Sequence, residues 1–316
     1  MDSPRLITRR EACARALIFS AALALPRLMQ GAPKTTAAGD VLHLFCFGDW
    51  GVHASPNQMA VAAALQKYAK DLHLTPAALM LLGDNFYGPN PGTDSPRWKV
   101  EFEDMYPASA FPGPCYAVLG NHDYDDQPGG EKIQMDYAKT PGTRWKMPAL
   151  WYRLDLPHAT FLCVDTHYNK MTPKEIADQQ AWIEMQLTLP RKVPWMIVCG
   201  HHPVMSCGPH HGDSKHLAGW SELFYKNGVD AYLAGHEHDL QYLHEENTPT
   251  HWLVSGGGGQ SLHPVKPDVK TGYANACFGF LHLALSATKM EATFVGSDAQ
   301  VLYNFSQNAR AISRGR

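Results

Sequence analysis

Five short apolar runs constrain the fold of this 316-residue chain more than any other feature, because each ends in glycine followed by a side chain able to bind a metal. In open α/β sheets, ligands bind at the carboxyl ends of the strands, and glycine there lets the backbone turn sharply and approach a ligand closely. One such pair is an ordinary turn, but five pairs indicate a shared site assembled from strand ends. The pairs are Gly48-Asp49, Gly83-Asp84, Gly120-Asn121, Gly200-His201 and Gly235-His236.

The segments between these runs predict helices and further strands. Residues 57–72 place apolar side chains at helical spacing, and the capping box Thr172-Pro173-Lys174-Glu175 predicts a helix that continues to about Leu189. After residue 250, strands at 251–255, 277–285 and 290–296 predict an antiparallel end to the fold. The glycines at 256–259 are interpreted as a close backbone approach beside the site.

The N-terminal segment, residues 1–38, predicts a cleaved export signal. Arg9-Arg10 precedes an apolar stretch that Arg15 interrupts, and small residues follow it. This order is typical of an export signal, and the arginine pair suggests the twin-arginine route. A membrane anchor needs about 18 apolar residues without charge. We therefore expect an exported protein, periplasmic or extracellular, whose mature form has no membrane span and consists of one catalytic domain, residues 39–316.

Charge and cysteine content exclude some functions. Without residues 1–38, which hold six basic and two acidic side chains, the chain has 21 basic and 28 acidic residues and a net charge of −7. An acidic chain without a basic stripe argues against nucleic-acid binding. The lack of a CxxC spacing argues against a thiolate zinc site. A disulfide among Cys115, Cys207 and Cys277 stays open.

The side chains after the glycines suit a transition-metal site. Asp, Asn and Tyr supply oxygen and His supplies nitrogen, a combination that favours iron, zinc or manganese over calcium. A carboxylate such as that of Asp84 can bridge two cations about 3.5–4 Å apart. His236 and His238 lie two residues apart, so their side chains diverge in an extended segment and can reach two different ions.

The five blocks together resemble a known family. In chain order they read GDWG (48–51), GDNFY (83–87), GNHD (120–123), GHHP (200–203) and GHEH (235–238). They resemble the blocks of the purple acid phosphatases, in particular the small tartrate-resistant type, within the calcineurin-like phosphoesterases. The resemblance covers roughly residues 41–285. It implies an α/β fold of two packed mixed β-sheets flanked by helices, with the site at the strand ends.

The resemblance also implies the roles of individual residues. Fe(III) is expected on Asp49, Asp84, Tyr87 and His238. A divalent ion, Fe(II), Zn(II) or Mn(II), is expected on Asp84, Asn121, His201 and His236. His122 and His210 match the catalytic histidines that contact substrate and leaving group, and Asn121 and His211 are expected to help bind the substrate. The chain departs from the family at His202 and Met205, where aromatic residues are expected. The resemblance therefore says least about the rim of the substrate pocket.

The function implied is that of a secreted acid phosphatase. A metal-bound hydroxide would attack a phosphomonoester directly and release inorganic phosphate. Two alternatives stay open: a Zn- or Mn-dependent phosphodiesterase or nucleotide pyrophosphatase, and a redox-active iron protein. The sequence leaves the physiological substrate and the oligomeric state open.

Overall fold

The computed structural model describes residues 41–210 and 215–310, which build two seven-stranded β-sheets. The first sheet has the spatial order β14 (Val301–Asn308), β13 (Lys289–Gly296), β12 (Gly279–Leu285), β1 (Leu42–Phe47), β2 (Ala78–Leu82), β3 (Cys115–Val118) and β4 (Trp145–Lys146). The second has the order β11 (Thr271–Asn275), β9 (Leu240–His244), β10 (His251–Ser255), β8 (Ala231–Ala234), β7 (Trp195–Cys199), β6 (Ala159–Cys163) and β5 (Tyr152–Asp155).

The helices connect the strands and begin at the capping residues that the sequence supplies. Ser55 Oγ accepts from Gln58 N at the start of the first helix, and Thr172 and Glu175 form the predicted capping box. The helices are α1 (Pro56–Asp71), α2 (Asn121–Asp125), α3 (Gly130–Tyr137), α4 (Pro173–Thr188) and α5 (Trp220–Asn227), with a π-helical turn at Trp98–Glu103 and 3₁₀ turns at Tyr168–Lys170 and Lys215–Leu217.

Parallel pairing brings the strand ends to one edge of each sheet. Strands β1 to β4 run parallel, as do β6, β7, β8 and β10, whereas β12 to β14 are antiparallel. The five glycine pairs follow β1, β2 and β3 in the first sheet and β7 and β8 in the second. Each sheet therefore directs its predicted metal-binding residues to the carboxyl ends of its parallel strands.

The two faces of the second sheet pack against different parts of the protein. Phe161 and Cys163 of β6 pack in a core that includes residues of both sheets, whereas Leu162 packs in a separate cluster with residues of α4 and α5. Successive side chains of a strand point to opposite faces, so one face meets the first sheet and the other meets helices. This arrangement confirms the predicted fold of two mixed sheets flanked by helices.

Some local predictions were incomplete. The sequence did not predict β9, β11 or β14. The described cysteines are all free thiols, so no disulfide forms among them. In the described part of the chain, no helix has both the length and the apolar character needed to cross a bilayer. The predicted export signal lies outside the described residues, so the division at residue 38 stays a prediction.

A hydrogen bond between the sheets offers a test of this packing. The buried Tyr152 hydroxyl of β5 donates to the Ala117 carbonyl of β3, at 2.9 Å. We expect Tyr152→Phe to lower the free energy of unfolding by about 1–2 kcal/mol, because a buried acceptor loses its partner. Urea unfolding followed by circular dichroism measures the change. Tyr303→Phe, on the edge strand β14, is the matched control, and an equal loss in both variants would contradict the prediction.

Candidate metal centre

Backbone hydrogen bonds join the strand ends that carry the predicted ligands. Asp49 N donates to the Gly83 carbonyl at 3.0 Å, and Gly235 N donates to the His201 carbonyl at 3.0 Å. A third bond crosses between the sheets, from Gly48 N to the Ser255 carbonyl at 2.8 Å. The loops after β1, β2, β7 and β8 are therefore held against one another, which is the arrangement that a shared site requires.

Three of the predicted ligands have left-handed backbone conformations. The φ angles are 62° at Asp49, 47° at Asp84 and 68° at His236. Such angles are uncommon outside glycine and cost about 1–3 kcal/mol each, and they cluster at functional sites. The surrounding hydrogen bonds compensate at Asp49, whose carboxylate accepts from His236 N at 3.0 Å. The chain thus turns back sharply at the residues whose side chains meet in the centre.

Two of the strand-end turns need glycine because a carboxylate occupies the adjacent space. A Cβ atom at Gly120 would lie 2.1 Å from Asp84 Oδ1, and one at Gly235 would lie 2.5 Å from Asp49 Oδ2. Gly256, in the glycine run, is restricted in the same way, since its Cβ would lie 2.1 Å from the Glu237 carbonyl oxygen and 2.7 Å from Asp49 Oδ2. The structure confirms the close backbone approach that was interpreted from these glycines.

One group of ligand atoms surrounds the hydroxyl of Tyr87. The hydroxyl oxygen lies 3.0 Å from Asp49 Oδ1, 3.0 Å from Asp84 Oδ2 and 3.0 Å from His238 Nε2. His238 Nδ1 lies 2.7 Å from the Ser261 carbonyl, an acceptor, so the Nδ1 proton is fixed there and Nε2 faces the oxygen atoms. Three oxygens and one imidazole nitrogen converge at this point.

A second group of ligand atoms lies near the same oxygen atom of Asp84, Oδ2. His201 Nε2 is 3.3 Å from Asp84 Oδ2, yet this buried nitrogen makes no hydrogen bond within the described chain. Its Nδ1 lies 2.8 Å from the Leu82 carbonyl, which directs Nε2 toward the centre. Asn121 Oδ1 is likewise buried without a hydrogen-bond partner among the described residues, and the His236 ring lies 5.1 Å from the His201 ring.

These orphaned polar atoms test whether the residues fit metal ions. Ligand atoms of Asp49, Asp84 and His201 lie within 4.8 Å of one another, and all three side chains are fully buried. Buried polar groups normally have partners, and nitrogen and oxygen donors that lack them suit a borderline cation. The donor set therefore fits a pair of metal ions with Asp84 between the two groups.

Charges in this cluster shift the pKa values of Tyr87, His201 and Asp84. Burial and the neighbouring carboxylates of Asp49 and Asp84 raise the pKa of Tyr87 well above its usual range. Burial alone would lower the pKa of His201, but the same carboxylates reverse this effect and raise it to about 9. For Asp84 the opposite holds, since His201 outweighs the effect of burial and keeps its pKa well below the usual range. The protein's own charges alone thus favour a proton on His201, in the place where a cation fits.

The two predicted catalytic histidines lie beside this cluster. His122 N donates to Asp84 Oδ1 at 2.9 Å, and the His122 ring lies 4.4 Å from the Tyr87 ring. Its Nδ1 is 2.9 Å from Asp126 Oδ2, and 36% of its side chain is exposed to solvent. The His210 ring lies 4.9 Å from the His236 ring. His211, also predicted to bind substrate, lies outside the described residues.

The sequence interpretation missed two supports of the site. Asp123 is buried, and its carboxylate accepts from the backbone N–H groups of Asn85, Phe86 and Gly120. Burial and the charge of Asp84 raise its pKa to about 7. The position of Asp123 in the GNHD block was a usable signal. His263 stacks on the His238 ring at 3.9 Å, and no motif marks it.

Comparison with known proteins agrees with this geometry. The family model described as calcineurin-like phosphoesterase matches residues 42–240. Tartrate-resistant acid phosphatase type 5 of Sus scrofa is 30% identical over 339 residues, covering 94% of this chain and 96% of the relative. The Homo sapiens protein of that name is 31% identical, with 91% and 95% covered. Purple acid phosphatase 17 of Arabidopsis thaliana is 27% identical, with 81% and 78% covered.

Solved structures support the fold. GAP50, described as the anchor in the inner membrane complex of Plasmodium, matches with a TM-score of 0.75 and 24% identity, covering 86% of this chain and 90% of that one. Purple acid phosphatase PPD1 from yellow lupin (Lupinus luteus) matches with a TM-score of 0.66 and 20% identity, covering 84% and 53%. Together with the family model and the sequence identities, these matches show that the chain belongs to the purple acid phosphatases, an enzyme family of calcineurin-like phosphoesterases, and is of the small tartrate-resistant type.

Proposed function

We propose that this protein is an exported acid phosphatase that hydrolyses phosphomonoesters at a dinuclear Fe(III)–M(II) centre. The observation that carries the proposal is the position of the Asp84 carboxylate. Its Oδ2 lies 3.0 Å from the Tyr87 hydroxyl and 3.3 Å from His201 Nε2, so it faces both groups of ligand atoms. A carboxylate in that position suits a bridge between two cations. Export rests on the predicted signal in residues 1–38.

The ligand groups divide between two ions as the family resemblance implies. Around the Tyr87 hydroxyl, the proposed Fe(III) ligands are Asp49, Asp84, Tyr87 and His238. On the His201 side, the proposed ligands of the divalent ion are Asp84, Asn121, His201 and His236. Fe(II), Zn(II) and Mn(II) all suit this second set of nitrogen and oxygen donors.

The position of the Tyr87 hydroxyl, 3.0 Å from each of two carboxylates and one imidazole, supports iron(III) as one of the ions. Burial and two adjacent carboxylates disfavour the phenolate strongly. Ionising this hydroxyl therefore requires a high positive charge beside it, and a trivalent ion supplies more than a divalent one. A tyrosine phenolate is also a hard oxygen ligand that suits Fe(III). Asp49, Asp84 and the phenolate together carry about −3 against +5 for the ion pair, so the centre keeps the positive charge that attracts a phosphate ester.

When bound, the two ions would activate a water molecule and balance the charge of the phosphate. The residues around them would complete the reaction. The His122 ring lies against the Tyr87 ring, and its Nδ1 is 2.9 Å from Asp126 Oδ2. His122 and His210 are proposed to stabilise the developing oxyanion and to deliver a proton to the leaving alkoxide. No phosphoenzyme is expected, because the carboxylates of the centre serve as ligands.

The visible spectrum separates this proposal from its alternatives. Purified protein should contain iron and a second metal, absorb in the visible range and hydrolyse a generic phosphomonoester faster than a diester. Tyr87→Phe should lose the visible band, because the phenolate that gives charge transfer to iron is gone, while it keeps much of the activity. Tyr303→Phe should keep both. A colourless wild type with full metal occupancy would refute the iron assignment, and a preference for diesters would refute the substrate class.

Metal content tests the bridging role of Asp84. We expect Asp84→Ala to lose most of both metals and at least about 10²-fold in kcat, because one carboxylate serves both ions. Elemental analysis of the purified variant measures the loss. Asp94→Ala, which removes an exposed carboxylate of the neighbouring loop, is the control and should keep both metals. Loss of only one metal in Asp84→Ala would show that the carboxylate does not bridge.

Substrates with different leaving groups test the proton-donating role of His122. We expect His122→Asn to lower kcat for an alkyl phosphate by about 10²-fold or more, and to lower it much less for a nitrophenyl phosphate, whose leaving group needs no proton. Metal content should not change. His73→Asn removes an exposed histidine and serves as the control. An equal loss for both substrates would exclude His122 as the proton donor.

A further inference from the structure

A second cluster of metal-binding side chains lies beside the proposed centre. His210 comes from the loop after β7, Glu237 from the turn after β8 and His263 from the loop after β10. Each offers one ligand atom, and the three atoms all lie within 4.8 Å of one another. None of the three residues belongs to the seven predicted ligands of the dinuclear centre.

The carboxylate of Glu237 is the buried member of this cluster. Its side chain is 0% exposed, and Oε1 accepts from His210 N at 2.8 Å and from Ser206 Oγ at 3.1 Å. The second oxygen, Oε2, lies 3.3 Å from His263 Nδ1. Within the part of the chain that the structure describes, no lysine or arginine forms an ion pair with Glu237. A buried carboxylate is costly without a positive partner, so the enclosure favours a cation.

The loop that carries His210 is built closely around this carboxylate. A Cβ atom at Gly208 would lie 2.4 Å from Glu237 Cδ, and Gly208 N donates to Ser206 Oγ at 2.8 Å. Glycine at this position therefore lets the backbone pass directly over the carboxylate. The contact holds the His210 segment against Glu237 and brings the first and second members of the cluster together.

We propose that His210, Glu237 and His263 form a third cation site, suited to Zn²⁺, next to the dinuclear centre. Two imidazole nitrogens with one carboxylate oxygen are a common zinc ligand set, which leaves a fourth position for water or another solute. Calcium and magnesium prefer sites built from oxygen alone, so this set selects against them. The cluster draws on three separate loops, which only the folded chain brings together.

Zinc at this third site inhibits the enzyme. This consequence rests on the proposed function, in which His210 serves the leaving group. The His210 ring lies 4.9 Å from the His236 ring and 4.9 Å from the His263 ring, so it is placed between the centre and the third site. A ring nitrogen that binds zinc cannot hold a proton for the leaving group. Occupation of the third site therefore removes a proposed catalytic group without displacing a metal from the centre.

The test variant must keep the structural contact that His263 makes. Its ring stacks on the His238 ring at 3.9 Å with an interplanar angle of 20°. Phenylalanine keeps a flat ring there and removes both nitrogen atoms, so His263→Phe is the main variant. Glu237→Gln is the second variant, because its amide oxygen still accepts from His210 N while the charge is lost. His73→Phe, at an exposed histidine, is the matched control.

The experiment titrates the full-length protein, with its dinuclear centre loaded, with zinc chloride. Bound metals are counted after gel filtration, and phosphomonoester hydrolysis is measured in parallel. We expect wild type and His73→Phe to rise from about two to about three metal ions per chain and to lose activity as the third ion binds. His263→Phe should stay near two ions and, measured against its own activity without added zinc, should need about tenfold more zinc, or more, for inhibition. Glu237→Gln should also stay near two ions.

Three results would overturn the inference. If the wild type stays at two ions under saturating zinc, the third site does not exist. If a third ion binds equally well to His263→Phe, that ion is not bound by the cluster. A third ion that binds at the cluster without inhibition refutes the regulatory role. The metal count does not depend on turnover, so an inactive protein that still takes up the third zinc refutes the proposed function and leaves the third site supported. Exchange of zinc into the dinuclear centre does not change the total count.

Discussion

The position of the Asp84 carboxylate is the contact on which the rest of the site depends. Oδ1 accepts from His122 N, while Oδ2 lies 3.0 Å from the Tyr87 hydroxyl and 3.3 Å from His201 Nε2. The carboxylate thereby connects loops after β2, β3 and β7, which belong to both sheets. Its own place requires a left-handed backbone at Asp84 and the missing side chain of Gly120. One strained residue and one glycine therefore determine how two sheets form a common centre.

Hydrogen bonds from the surroundings hold the ligand side chains in this geometry. Leu82 and Ser261 carbonyls orient the rings of His201 and His238, and Asp123 ties the loops after β2 and β3 through backbone N–H groups. Ligands held in this way lose little freedom when a metal binds, which raises affinity and precision. This arrangement buries carboxylates and imidazoles together, which is unfavourable unless protons or cations balance their charges. Stability and metal binding are thus coupled at this point.

The same fold serves proteins of different description. GAP50, which matches with a TM-score of 0.75, is described as an anchor, whereas the lupin protein that matches with 0.66 is described as a phosphatase. A fold alone does not establish an activity; the side chains at the strand ends do. In this chain those side chains include Tyr87, which belongs to the GDNFY block that resembles the purple acid phosphatases. The cluster of His210, Glu237 and His263 joins a predicted catalytic histidine and a residue of the GHEH block to His263, which lies outside the blocks, and the relatives' names do not anticipate it.

The sequence by itself determined the fold class, the order of the main strands and the residues that meet at the centre. Strand periodicity, capping residues and Gly-X pairs are local patterns, each readable within a few positions, and they gave the strands, the helices and the strand-end site. The two packed sheets and the roles of Tyr87 and His238 came from the resemblance of the five blocks to a known family. The tertiary structure alone decided that Asp123 braces two loops and that His263 reaches Glu237 across 26 positions of the chain. It also decided the pairing of β9, β11 and β14. These features depend on contacts between distant segments, and local sequence carries no record of which segments will be neighbours.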